Sequence, residues 1–271
     1  MIASEILAYY REGNEEHRLT SSLGCLERIR TLEILDRLLP APPSRVLDVG
    51  GGTGVYAIPL ASRGYRVHLI DPVPLHVARA RTLSEESNTT LESAAIADAR
   101  SLGLPDAMFD AVLLFGPLYH LTDRSDRIDA LAEARRVLVP GGLLLSAYIS
   151  RFASLCDGIL RGSLQDPAFA AIVARDLTEG IHQNPTGRPE WFTTAYFHRP
   201  DEIRPEIEAA GFRFEKLIAV EGPVWTNRDL DAWLDDAILR ERLLQALRRV
   251  ETEPSLIGAS AHLICSARRE K

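Results

Sequence analysis

Cysteine is scarce in this chain: Cys25, Cys156 and Cys265 are the only three among 271 residues. Their odd number and wide separation exclude a disulfide framework and a thiolate metal cluster. Reduced thiols in a cytoplasmic protein are the expectation. The stretch from Met1 to Arg11 lacks the basic start and apolar run of a secretory signal. No apolar stretch is long enough to span a bilayer. An excess of positive charge is missing as well. The formal net charge is -7, so no global basic field draws the chain to nucleic acid or to anionic lipid. Internal repeats, low-complexity tracts, heptads and linear metal-ligand spacings are all absent. The composition that remains, 46% hydrophobic and 25% charged, is that of a globular protein able to bury a full core.

The chain is organised around Arg45-Val46-Leu47-Asp48-Val49-Gly50-Gly51-Gly52-Thr53-Gly54. Val46 to Val49 reads as a buried strand. It breaks into glycines, and an apolar-periodic helix follows through Val55, Ile58 and Leu60. Glycines let a ligand approach the backbone closely, and a helix start offers unpaired N–H groups and a positive dipole end. No Gly-Lys-Ser/Thr ending follows, which excludes a P-loop. The dinucleotide fingerprint G-x-G-x-x-G/A fits at Gly50 and Gly52 but fails at Val55.

The stretch instead reads D-x-G-x-G-x-G and resembles motif I of the class I S-adenosylmethionine-dependent methyltransferases. That resemblance implies a cofactor lying over the Gly50–Gly54 turn, with Asp48 placing its methionine part. Two more acids follow at strand ends. Tyr65 to Asp71 reads as a second strand, and Asp71 stands roughly 20 residues past the glycines, where a carboxylate accepts from ribose hydroxyls. It also suits a helix cap before Pro72. Thr90 to Ala95 reads as a third strand, and in the methyltransferase pattern Asp98 and Ala99 meet the adenine. Met108 to Leu114 is the fourth strand. Its exit, Phe115 to Leu121, lies beside the transferred methyl in that family. The string from Arg136 to Leu143 is also typical of the family and turns a helix, Ile128 to Leu138, into a fifth strand, Leu143 to Ile149.

The expected fold is thus α/β, a doubly wound Rossmann-like sheet, mostly parallel with an antiparallel last strand. N-terminal helices and helical lid insertions complete it. The boundaries are 1–40 for a helical cap (helices over 4–19 and 25–39), 41–149 for the cofactor core, and 150–200 for a lid. Residues 201–271 complete the sheet, with a helical insertion over 221–255. By the resemblance the N-terminal helices close over the cofactor, bringing Tyr10 and Arg30 to its methionine end.

The implied activity is methyl transfer to a small-molecule acceptor. Transfer to an RNA base and non-catalytic cofactor binding are the alternatives, and a nicotinamide dehydrogenase is weakened by Val55. In-line transfer needs an aligned nucleophile and, where a proton must leave, a base. His120 beside Tyr119 is the first candidate, because histidine titrates near neutral pH. His198 and Tyr196 come next, and His182 last. Trp191, Phe192, Tyr196 and Phe197 supply aromatics for a cover, with Trp191 and Tyr196 as acceptor-binding residues. No metal is expected, nor a membrane or nucleic-acid partner, and the chain is expected to be a monomer or homodimer.

Overall fold

The computed structural model describes residues 4–11, 21–227 and 229–270. Two helices lead, α1 (Ser4–Arg11) and α2 (Ser22–Leu38). The rest of the first expected helix, with Glu15, Glu16, His17 and Arg18, lies outside the described residues. Ser21 starts α2 by accepting from the Gly24 N–H, a donor that the helix itself leaves unsatisfied.

Strand and helix then alternate through β1 (Arg45–Val49), α3 (Ala57–Ser62), β2 (Arg66–Asp71), α4 (Pro74–Glu86), β3 (Ser93–Ile96) and β4 (Phe109–Leu114). A single turn, α5 (Pro117–His120), leads into α6 (Arg124–Val137) and the long β5 (Leu138–Ser150). The last part holds α7 (Ala153–Arg161), α8 (Pro167–Glu179), β6 (Ile181–His182), β7 (Ala195–His198), α9 (Pro200–Ala209), β8 (Phe212–Ala219), α10 (Leu230–Asp235), α11 (Ala237–Val250) and β9 (His262–Arg269).

The first five strands are parallel in the order β3-β2-β1-β4-β5. β9 enters antiparallel between β5 and β8, as the expected last strand. Both faces are covered, which is why β1 and β4 read as nearly continuous apolar runs. Leu47, Val112, Leu144 and Leu263 pack on one face, and Val46, Ala111, Leu145 and Ile264 on the other. The second face takes Ile34 and Leu35 from α2, so the N-terminal helix is tied to the core.

Three details depart from the sequence reading. Pro140-Gly141-Gly142 does not stop α6. The helix ends at Val137, and the prolyl-glycyl segment is an irregularity within β5, opposite the register shift between Phe109 and Ala111. The segment over 150–200, expected as a lid, adds a strand to the sheet. β7 pairs in parallel with the end of β5 through Ile149 and Phe197, beyond the last residue that β4 pairs. The expected helical insertion over 221–255 holds two α-helices rather than one, because the Asp236 carboxylate accepts from the Ile238 and Leu239 N–H groups and starts a new one. These helices cover α2 through Leu26, Val224, Leu234 and Leu247. Among the described residues no helix is long and apolar enough to cross a membrane.

Candidate functional site

In an open parallel sheet ligands collect beyond the carboxyl ends of the strands. There a cavity of about 540 Å³ opens, walled by the turns after β1, β2, β3 and β4, by α1 and α2, and by β9. Asp48, Gly50, Gly52, Asp71, Asp98, Ala99, Phe115, Tyr119, His120 and Tyr10 all line it.

The turn after β1 is built for close approach. Gly50 has φ +76°, and a Cβ there would stand 2.6 Å from the Pro117 Cδ. Gly52 also has positive φ, and nothing lies within 4 Å of where its Cβ would be, so bare backbone faces open space. Beneath the turn Asp48 is fully buried, and among the described residues neither carboxylate oxygen makes a well-formed hydrogen bond, although the backbone N–H of Ala57 lies near enough to favour its charged form. Burial, aided by the nearby charge of Asp71, pushes its pKa up to about 7. An orphaned buried carboxylate is costly unless a ligand completes it, and a cation or a donor would do so.

Asp71 both tethers and faces the cavity. Its Oδ2 accepts from the Gly52 N–H at 2.9 Å. Its Oδ1 accepts from the Val73 N–H at 2.9 Å and stands 3.1 Å from His76 Nδ1. The ribose and cap readings of this residue are thus not exclusive. Asp98 is held by a fork from Arg100, Nε at 2.9 Å and Nη2 at 2.6 Å, and this pairing keeps its pKa below the ordinary carboxylate value.

His120 lies at the opposite wall. Its Nδ1 is 3.1 Å from the Thr194 carbonyl oxygen, so in the neutral ring the proton sits on Nδ1. Nε2 then accepts from the Tyr10 hydroxyl at 2.6 Å. Tyr10 also meets the His76 ring edge-on, and Tyr9 meets Phe192 in the same way. A bond from the Thr194 hydroxyl to Glu5 adds to the closure of α1 over the cavity.

Four expected site residues lie elsewhere. Arg30 is fully buried. It donates to the Val220 carbonyl, to Glu33 at 2.6 Å and to Glu251 at 2.6 Å, which makes it a strap between α2 and the segment after β8. His198 has no accessible surface and sits between Tyr148 and Tyr196, with Glu206 3.5 Å away; burial lowers its pKa. Trp191 packs on Phe169 beneath the Arg188 guanidinium, inside a small cluster with Ile172 and Val173. Tyr196 lies under Arg127 at 4.1 Å and bonds Glu202. The aromatics of this segment therefore pack within the protein, Trp191 in one satellite cluster, Phe192 and Phe197 in another and Tyr196 under Arg127, and none of them lines the cavity. His182 is likewise structural, held at 2.8 Å by both Asp176 and the Trp191 carbonyl.

Other lining residues went unread in the sequence. Leu75 is 58% exposed although apolar, at the mouth beside Asp71. Its place just past a strand-end acid was the available signal. His76 and Arg100 follow the acids by five and two positions. Glu27 and His262 come from α2 and β9, and no linear spacing connects them.

Comparison with known proteins bears on the cavity. Residues 46–142 match the family model described as a methyltransferase domain. The chain is 36% identical over 210 residues to malonyl-[acyl-carrier protein] O-methyltransferase of Geobacter sulfurreducens, spanning 77% of this chain and 69% of that one. It is 29% identical over 214 residues to ubiquinone biosynthesis O-methyltransferase of Xylella fastidiosa, spanning 79% and 78%. Among solved structures, an S-adenosylmethionine-dependent methyltransferase from Methanosarcina mazei superposes with a TM-score of 0.60. It is 19% identical, and the match covers 88% of this chain and 97% of that one.

Proposed function

The chain belongs to the S-adenosylmethionine-dependent methyltransferases, and from that premise we propose that it transfers the methyl group to an oxygen of a small-molecule acceptor. The observation that carries the reading is Asp48, a fully buried carboxylate with neither oxygen in a well-formed hydrogen bond among the described residues, at the floor of a glycine-lined cavity. The methionine end of S-adenosylmethionine carries a sulfonium and an ammonium, the type of charge that such a group needs. The names of the two relatives above both describe methylation on oxygen.

The remaining roles follow the geometry. An ionised carboxylate offers about four acceptor sites. Asp71 uses two on Oδ1 and one on Oδ2 within the protein, which suits it to one ribose hydroxyl rather than both. Asp98 spends three on Arg100, through its backbone N–H, Nε and Nη2, and keeps one for the adenine amino group, with the Ala99 N–H beside it. Leu75 covers a flat ring at the mouth. The bound cofactor supplies an electrophilic methyl, so the protein's task is to align the acceptor and exclude water. Tyr10 and His120 serve that end by holding α1 closed. With both ring nitrogens engaged, His120 positions rather than takes a proton.

Beyond Phe115 and Tyr119 the cavity runs on to Ala147, Val220 and Ile264, an apolar wall that a pure cofactor binder would not need. The three free cysteines suit a reducing compartment such as the cytoplasm. Calorimetry with S-adenosylmethionine, its demethylated product and NAD tests the reading. Binding of the first two in the micromolar range or tighter is expected, and tighter binding of NAD would overturn it.

A further inference from the structure

The acids at the ends of β3, β2 and β1 account for one side of the cavity. The other side, past β4 and its exit turn, is made by β5, β9 and α2, and among the described residues it presents the imidazole of His262. β9 runs antiparallel, so His262 is its first residue and stands at the carboxyl end of β5, opposite Ile149.

His262 is locked from behind. Its Nδ1 lies 2.6 Å from Glu221 Oε1, and its backbone N–H donates to Glu221 Oε2 at 3.0 Å. The Ser260 hydroxyl donates to the same Oε2 at 2.8 Å, and its oxygen accepts from the Glu221 and Gly222 N–H groups at 3.0 Å each. Glu221 has no solvent exposure. Burial pushes its pKa up, but the facing imidazole and these donors more than offset that and hold it below the ordinary carboxylate value. Glu27 on α2 adds a second carboxylate 3.5 Å from Nδ1 and also lines the cavity. The three residues bring ligand-type atoms within 4.8 Å of one another, a spacing that would suit a cation. The oxygens of Glu221 are already filled by N–H and O–H donors, however, which is the arrangement of a carboxylate that orients an imidazole. With Nδ1 protonated toward Glu221, the lone pair of the neutral ring is on Nε2.

We propose that His262, oriented by Glu221, is the general base for the acceptor hydroxyl. This rests on the methyltransferase reading and adds to it the class of acceptor: a protic oxygen on an apolar body, such as a phenol or an enol. The hydroxyl oxygen forms a bond to the methyl carbon with its own lone pair. The carbon–sulfur bond breaks, and its pair returns to sulfur as a neutral thioether. The O–H pair stays on oxygen, and the proton goes to His262 Nε2. Glu27 and Glu221 face the ring from α2 and from the turn after β8. Glu221 is a positioning residue in this scheme.

The test uses full-length protein, labelled S-adenosylmethionine and a series of substituted phenols whose acidities run from weak to mostly ionised at the assay pH. The wild type should methylate members across the series. His262→Gln should keep cofactor affinity within about twofold and lose roughly 10²–10³-fold in turnover on weakly acidic phenols. It should lose little on those already ionised. Glu221→Gln should lower turnover less and move the pH–rate profile to lower pH. Uniform loss across the phenol series would overturn the base assignment, because a structural role does not depend on acceptor acidity. No transfer to any phenol by a wild type that binds the cofactor would overturn the acceptor class and leave the methyltransferase reading standing. Stoichiometric binding of Mg²⁺ or Zn²⁺, abolished by His262→Gln, would replace the dyad with a metal site. If Glu221→Gln does not fold, nitrogen-resolved NMR of wild-type His262 decides the matter. A ring protonated on Nδ1 that titrates with the product bound supports the proposal, and a ring that never titrates overturns it.

Discussion

The Tyr10 hydroxyl lies 2.6 Å from Nε2 of His120, although the two residues are 110 positions apart. This contact joins α1 to the turn after β4 and closes the cavity between them. Tyr10→Phe removes one hydrogen bond worth roughly 0.5–1.5 kcal/mol. Product affinity should fall by about two- to tenfold, read by calorimetry. Amide exchange over residues 4–11 should quicken while exchange in β1 does not change. Unaltered exchange in α1 would mean that the contact holds nothing shut.

Asp48 should couple binding to pH. Its folded-state value, about 7, lies above the ordinary 3.8. The free protein therefore takes up a proton as pH falls through 7 and loses its attraction for a cation. Cofactor affinity should rise from about pH 5.5 to about 7, by at most about tenfold per unit. It should level off until the ligand's own α-amino group loses its charge near about pH 8. For the stability of the free protein the sign is opposite. Between 3.8 and about 7 the folded chain holds the proton that the unfolded chain has released, so Asp48 makes the fold less stable as pH climbs through that window. Asp48→Asn should flatten both curves. Calorimetry in two buffers of different ionisation enthalpy reads the linked proton, and a pH-independent wild type would refute the coupling.

Asp71→Ala should weaken cofactor binding by roughly 1.5–3 kcal/mol, the worth of hydrogen bonds to a charged acceptor. The same carboxylate tethers Gly52 and Val73, so a fall of a few degrees in melting temperature should accompany the loss. A fall in melting temperature with unchanged affinity would reduce Asp71 to a tether.

Arg30→Met should do the reverse. It leaves Glu251 buried with Arg37 as its remaining partner at 2.7 Å. Breaking such a pair costs about 3–5 kcal/mol, and the surviving bridge argues for the lower end. Urea denaturation should show that loss, while the protein that remains folded binds the cofactor normally. Selective loss of binding would return Arg30 to the site.

The acid-lined half of the cavity was legible because its residues follow strand ends in order. Asp48, Asp71 and Asp98 each sit where a short apolar run stops, and the resemblance gave each a partner on the ligand. Arg30 was misplaced because a charged helical residue reads as exposed, and its burial depends on Glu251, more than two hundred residues away. Trp191 and Tyr196 were misplaced because an aromatic cluster fits a lid and a small core equally well. The pairing of β7 with the end of β5 decided for the core, and it rests on two residue pairs. Glu221 and His262 carry no periodic signal. They meet only because β9 runs backward beside β8.

That reversed strand also orders the assembly of the chain in time. β8 finds its partner in the sheet only in β9, and one edge of β5 is bare until β9 arrives. During synthesis the sheet cannot close before residue 269 has been made. A nascent chain that stops short of it carries two unpaired edges, the feature that invites association with other chains. The wall that holds His262 is the last part of the sheet to form, so the cavity is enclosed only after the strands on its other side are already in place.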